Sequence, residues 1–208
     1  MKVLLINGSS RAKGCTFTAL LEITKVLEAQ GIDTEIVNLG IEPVRDCIAC
    51  GVCSKLNNRC VFNDDIVNTI IEKAQECDGF VFGTPVYYAH PSGRILSVLD
   101  RVFYAAGSTF AHKPGFAIAS ARRGGTTASV DVLDKYFTIS EMPIVASTYW
   151  NMVHGNTPNE VSQDQEGLQT MRNAAQNMAW LIKCIEAGKG NAIYAPSAER
   201  SHRTNFIR

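Results

Sequence analysis

The sequence predicts an α/β protein built on a doubly wound parallel sheet with helices on both faces. Two observations carry this. Five short apolar runs alternate with five helical patterns. No internal repeat, low-complexity tract or linker interrupts the alternation. The chain has 208 residues, 46% of them hydrophobic, which is enough to bury one core. Continuous apolar runs suit strands covered on both faces and joined by right-handed crossovers.

Each element has its own signal. Residues 3–6 read as a buried strand. Phe17, Leu20, Leu21 and Leu27 then follow a helical stripe that ends at Gly31, a C-cap residue. Residues 35–39 form a second strand, and residues 40–63 a long loop. Asp64 and Asp65 offer an N-cap and a negative first turn to a helix that runs through Cys77. Residues 79–83 are a third strand. Ile95, Leu99, Val102 and Phe103 share one side of a helix over residues 92–105. Residues 115–120 form the fourth strand, and Val130, Leu133 and Phe137 lie in phase on a helix over residues 126–139. The fifth strand is predicted at residues 143–148, extending toward Val153. Met171, Ala174, Ala175, Met178, Ile182 and Ile185 mark a long last helix. These elements give domain bounds of 1–188, with residues 46–63 inserted after the second strand. The tail, residues 189–208, is polar, though Phe206 and Ile207 suggest that it docks.

A formal net charge of zero gives no field to recruit nucleic acid or an anionic membrane. No apolar run reaches the ~20 residues of a membrane span. The opening apolar run is too short for a signal peptide. The seven cysteines are an odd count, which argues against a disulfide framework and for a reducing cytoplasm.

Three strand-end turns carry chemistry. The first, NGSSRAKGCT from Asn7 to Thr16, resembles a nucleotide P-loop with the wrong spacing and with Cys15 in place of the lysine. Backbone N–H groups at a helix start, the Ser9, Ser10 and Thr16 hydroxyls and the Arg11 guanidinium suit a terminal monophosphate. A serine N-cap is the blander alternative. The second turn, residues 83–93, holds Pro85, Val86, Tyr87 and Tyr88, against which a flat ring could lie. Tyrosines at strand ends also serve cores and interfaces. In the third, Ser120 to Thr126, Gly124 and Gly125 let backbone approach a ligand edge. Arg122 and Arg123 could be solvated charges.

GSSRAKGCT, TPVYYAHPSG and SARRGG, in this order at these strand ends, resemble the NADPH-dependent FMN reductase family of flavoproteins over roughly residues 1–186. The resemblance implies a flavodoxin-like five-stranded sheet in the order 2-1-3-4-5, bound FMN, NAD(P)H as co-substrate, and a homodimer or homotetramer. It implies that Ser9, Ser10, Arg11, Gly14 and Thr16 hold the FMN phosphate. Pro85, Val86, Tyr87 and Tyr88 would line the isoalloxazine, and Ser120, Arg123, Gly124 and Gly125 would meet its pyrimidine edge. Chemistry would occur at the flavin N5, with no catalytic side chain. Cys15 departs from the asparagine common in relatives.

Cys47, Cys50, Cys53 and Cys60 crowd into one segment of the long loop. Ferredoxins also use two-residue gaps, but here the last gap is longer and no proline comes after it. The spacing resembles the iron–sulfur flavoprotein branch of the same family, which implies a 4Fe-4S cluster feeding the flavin. Zinc and uncoordinated thiols remain open alternatives. Cys53 and Arg59 have phosphatase spacing, but the segment between them lacks glycine. Cys77 and Cys184 read as small core residues on helices. His90 sits in the second turn, where it could approach a flavin or substrate, although a lone loop histidine is more often a surface or turn residue; Trp150, Asn151 and His154 lie just beyond the fifth strand, where a substrate side and a subunit contact fit them equally. The leading expectation is an FMN-dependent NAD(P)H oxidoreductase with a small-molecule or redox-protein acceptor. The alternative is an electron carrier fed by ferredoxin-like donors, and an FMN-free scaffold is a third.

Overall fold

Along β1 (Lys2–Asn7) successive side chains point to opposite faces of a sheet, and both faces are buried. Val3 and Leu5 belong to one core layer, Leu4 and Ile6 to the other. That is why the run is apolar throughout. The computed structural model describes residues 1–202, 204 and 206 of the chain.

Beyond β1 come α1 (Cys15–Ala29), β2 (Asp33–Asn38), α2 (Val67–Gln75), β3 (Gly79–Tyr87), β4 (His90–Pro91), α3 (Gly93–Ala106), β5 (Gly115–Ala121), α4 (Thr126–Ile139), β6 (Met152–His154), α5 (Pro158–Gln163) and α6 (Gln165–Gly190). The parallel strands run in the order β2-β1-β3-β5-β6, with β4 folded back antiparallel onto β3. Without that short return strand this is the flavodoxin-like order 2-1-3-4-5. Phe80 and Phe82 of β3 pack with α2, α3 and α4, while Val81 faces α1 and α6. Among the described residues no helix is long and apolar enough to cross a membrane.

The fifth strand differs from the sequence reading. Residues 143–148 form only one bridge to the sheet, Ile144 with Gly115. Pro143 has no N–H to give a ladder. Beyond it, α6 holds the segment: Asn177 Nδ2 donates to the Ala146 carbonyl at 2.8 Å, while the Ser147 side chain donates through Oγ to Thr170 O at 2.7 Å. Regular pairing resumes only at Met152, opposite Ala119. α5 was not anticipated, although Thr157 before Pro158 is a helix-start signal; Glu160 N donates to Thr157 Oγ1 at 3.3 Å. The helix expected to run through Cys77 ends at Gln75, and Asp65 serves its start by accepting from Val67 N at 3.1 Å. Cys77 is buried as expected, whereas Cys184 is exposed because it lies on the outer face of α6. Phe206 is 95% exposed in the single chain, and Ile207 lies outside the described residues.

Burial beside Asp131 pushes the Asp134 carboxyl on α4 up to about 6. Its folded pKa exceeds its unfolded one, so the folded state binds the extra proton and stability from this group falls as pH rises from about 4 to above 6. Asp134→Asn is therefore expected to melt at a higher temperature than the parent at about pH 8 and at the same temperature near pH 4, read by circular dichroism.

Candidate functional site

Three turns meet at the carboxyl end of the sheet, where the strand order reverses between β1 and β3. Gly8 N donates to Gly83 O at 2.7 Å. A Cβ on Gly8 would lie 2.9 Å from that oxygen, so glycine is required for the chain to leave β1 this close to β3. Asn7 shapes the first turn: its Oδ1 accepts from Ser9 N at 3.1 Å, and its Nδ2 donates to Asn38 Oδ1 at 2.8 Å. Ser9 Oγ in turn accepts from Arg11 N at 3.1 Å. Ser9, Gly14 and Thr16 are buried, while Ser10, Arg11 and Lys13 stand exposed.

The second turn is a hairpin, where a loop was expected. β3 continues to Tyr87, and Tyr88 (φ 49°) and Ala89 (φ 62°) reverse the chain into β4. Val86 pairs with Pro91 and Tyr87 with His90. Thr84 Oγ1 accepts from Ser92 N at 2.9 Å, and Ser92 Oγ donates to Gly8 O at 2.8 Å, which ties this turn to the first. Pro85 is buried, Val86 half-buried, Tyr87 half-exposed and Tyr88 fully exposed.

The third turn closes the group. Thr16 Oγ1 and Ser120 Oγ lie 2.8 Å apart, joining it to the first. Ser10 Oγ and Tyr87 Oη lie 3.3 Å apart, joining the first to the second. A Cβ on Gly125 (φ 95°) would sit 2.7 Å from Ala89 Cα and 2.8 Å from Val86 Cγ1, so the second and third turns touch as well. Arg123 and Gly124 are exposed beside them. The predicted residues of all three turns thus share one rim, apart from the Tyr88 side chain, which stands out in solvent. Asn7, Thr84 and Ser92 shape the rim and were missed. The Asn-Gly-Ser turn and the polar residue inside an apolar strand were their signals.

Helix starts show what this rim is suited to hold. α3, α5 and α6 are capped by the Ser92, Thr157 and Asp164 side chains. α1 starts at Gly14 and α4 at Gly125, each without a side-chain cap and without an acidic residue in its first turn. Their leading N–H groups carry the positive end of the helix dipole and favour an anion or a partly negative ring edge. Cys15 turns elsewhere: its Sγ donates to Gly155 O at 3.6 Å, and burial pushes the thiol pKa up. Tyr149 packs edge-on to Trp150, and Asp164 Oδ2 accepts from His154 N at 2.7 Å. Asn151 is buried among this group, its Oδ1 without a hydrogen-bond partner among the described residues.

The cysteine-bearing segment hangs on one face of α3. Arg94 donates to Glu42 O and to Ile41 O, the latter at 3.1 Å; Ser97 Oγ donates to Asp46 Oδ1 at 2.6 Å. Arg101 donates to Arg45 O at 3.1 Å, and Cys53 Sγ donates to Tyr104 O at 3.6 Å. Residues 94, 97, 101 and 104 have the spacing of a single helix face. Cys47, Cys50, Cys53 and Cys60 all line one cavity of about 120 Å³, together with Phe62 and Tyr104. Arg59 is not aimed at Cys53; it pairs with Glu72 at 2.6 Å, which leaves no phosphatase-like cradle.

Residues 1–157 match the family model described as NADPH-dependent FMN reductase. An iron-sulfur flavoprotein of Methanocaldococcus jannaschii is 31% identical over 194 residues, covering 89% of this chain and all of that protein. An iron-sulfur flavoprotein of Methanosarcina thermophila is 27% identical, covering 91% of this chain and 99% of that one. Among solved structures, an NAD(P)H:quinone oxidoreductase from Methanothermobacter marburgensis superposes with TM-score 0.65 at 17% identity, covering 86% of this chain and 96% of that one. The last likeness speaks to the fold.

Gly125→Ala is expected to lower the unfolding free energy by about 1–3 kcal/mol in urea titrations, because it adds a Cβ to a left-handed residue and forces the second and third turns apart. Gly124→Ala, whose Cβ would meet nothing within 4 Å, is the matched control and is expected to stay within about 0.5 kcal/mol of the parent.

Proposed function

Because the chain belongs to the NADPH-dependent FMN reductase family and is an FMN-dependent oxidoreductase, we propose that its three rim turns hold the FMN and that its four clustered cysteines hold an iron–sulfur cluster. The observation that carries the flavin assignment is the pair of uncapped, acid-free helix starts at Gly14 and Gly125 on a rim otherwise rich in hydroxyls. Ser9, Ser10, Thr16 and Arg11, with the first N–H groups of α1, would bind the phosphate. Pro85, Val86 and Tyr87 would line the ring, whereas the fully exposed Tyr88 side chain would not. Ser120, Arg123 and the N–H groups of Gly124 and Gly125 would stabilise negative charge at its pyrimidine edge. Bound FMN supplies hydride acceptance from NAD(P)H and onward electron transfer; the chain supplies placement and electrostatics.

The iron-sulfur flavoprotein relatives favour a cluster over zinc at Cys47, Cys50, Cys53 and Cys60. The four cysteines line one cavity of about 120 Å³, while among the described residues no group of three or more His, Cys, Asp or Glu is already gathered to hold a metal, zinc or iron alike. The iron-sulfur flavoprotein relatives and this cavity favour a second reading beside the first, an electron carrier fed by a ferredoxin-like protein. A homodimer or homotetramer in the cytoplasm, with residues 1–188 as one FMN-binding domain, belongs to the same proposal; exposed Tyr88, Tyr104 and Trp150 are available for subunit contact.

Arg11→Ala is expected to weaken FMN binding about 10- to 100-fold, as loss of a charge-assisted hydrogen bond does, in fluorescence titrations of flavin-stripped protein. Affinity equal to the parent's would remove the phosphate assignment. Anaerobically purified parent is expected to carry four iron and four sulfide per chain, with Cys50→Ala losing most of both. Less than one iron beside a full complement of flavin would sink the cluster and spare the flavin site, and one zinc per chain would reassign the cysteines. Rapid flavin bleaching by NADPH marks the reductase; bleaching by reduced ferredoxin alone marks the carrier.

A further inference from the structure

Arg101 is 1% exposed, on the face of α3 that carries the cysteine segment. A guanidinium this deeply buried must find acceptors for its donors. It forks onto the Asp65 carboxylate, with Nη2 to Oδ1 at 3.1 Å, and Nη1 also donates to Arg45 O at 3.1 Å. Its Nε donates to Cys60 Sγ at 3.3 Å. The Phe62 ring lies 5.2 Å from the guanidinium carbon. Cys60 is the buried member of the four cavity cysteines, and Asn68 grips its backbone: Cys60 N donates to Asn68 Oδ1 at 2.8 Å, and Asn68 Nδ2 donates to Cys60 O at 3.1 Å. One thiol of the set is thus held on both its main chain and its sulfur by groups that are themselves buried.

An N–H donated to a ligand sulfur stabilises added negative charge, and so does a nearby positive charge; each raises a cluster's reduction potential. Arg101 offers both, and Asp65 offsets the second while leaving the first intact. We propose that Arg101 is a positioning residue that fixes Cys60 as a cluster ligand and raises the cluster's reduction potential, with Asp65 as the counter-charge that limits the rise. This rests on the proposed iron–sulfur cluster.

Two full-length variants separate bond from charge. Asp65→Asn keeps an acceptor for Val67 N and keeps the N–H···S bond, but uncovers the guanidinium charge. Arg101→Met/Asp65→Asn removes bond and charge together without stranding a buried carboxylate. Parent and variants, purified anaerobically, are compared for iron and sulfide content, for unfolding by circular dichroism, and for cluster midpoint potential by a titration monitored with electron paramagnetic resonance. The potential is expected to rise in Asp65→Asn and to fall in the double variant, each by about 59 mV, the one-electron equivalent of a tenfold shift. Iron release to a ferrous chelator is expected to quicken about tenfold in the double variant. Potentials that stay put, or move in the same direction, in variants that fold and hold iron like the parent overturn the proposal and leave the cluster standing. Less than one iron per chain in the parent overturns both. Should the double variant fail to fold, Asp65→Asn decides alone, and an unchanged or lowered potential there overturns the proposal.

Discussion

Gly8, just past the end of β1, donates to Gly83 O in the middle of β3 at 2.7 Å, and the rim of the sheet is organised around that approach. With no side chain on Gly8, the first turn can lie against the second. Ser92 then completes the tie, capping α3 with the same hydroxyl that donates to Gly8 O at 2.8 Å. The third turn joins through the Thr16–Ser120 contact and the left-handed Gly125. Each link is short, and each depends on a residue that is small, hydroxylated or both. Bulk at any of them would open the rim.

Helix starts differ in how they are capped. Ser92, Thr157 and Asp164 cap α3, α5 and α6 with a side chain. α1, α2 and α4 have no N-cap side-chain bond, although Asp65 accepts from Val67 N at the start of α2; the uncapped donors at Gly14 and Gly125 are those the proposed flavin site would use. α3 bridges the two chemical regions of the molecule. Its first residue comes just after the β3–β4 hairpin of the rim, and its later turns hold the cysteine segment through Arg101 and Tyr104. At about 1.5 Å per residue its 14 residues span roughly 20 Å, so one rigid element relates the placement of both.

The three strand-end turns and most element positions were legible in the sequence because they depend on local chemistry. Apolar period, glycine at turns and hydroxyls at helix starts act over a few residues. The fifth strand was misplaced because residues 143–148 look like a strand, yet α6 holds them instead, Asn177 through the Ala146 carbonyl and the Thr170 carbonyl through the Ser147 hydroxyl. The hairpin at Tyr87 was read as a loop because its pairing to His90 depends on a reversal at Tyr88 and Ala89, neither of them glycine. Arg101 was not singled out at all: in sequence it is one charged residue on an amphipathic helix.

By itself, then, the sequence determined the α/β class, the alternation of strands and helices, the three strand-end turns and the crowding of Cys47, Cys50, Cys53 and Cys60. Those depend on spacing and residue type, which are local. Only the tertiary structure decided which turns touch, which helix starts stay uncapped, and that Arg101 is buried between Asp65 and Cys60. These are contacts between residues as many as 104 positions apart, as at Thr16 and Ser120. Only packing of the whole sheet brings such pairs together, so no local pattern encodes them.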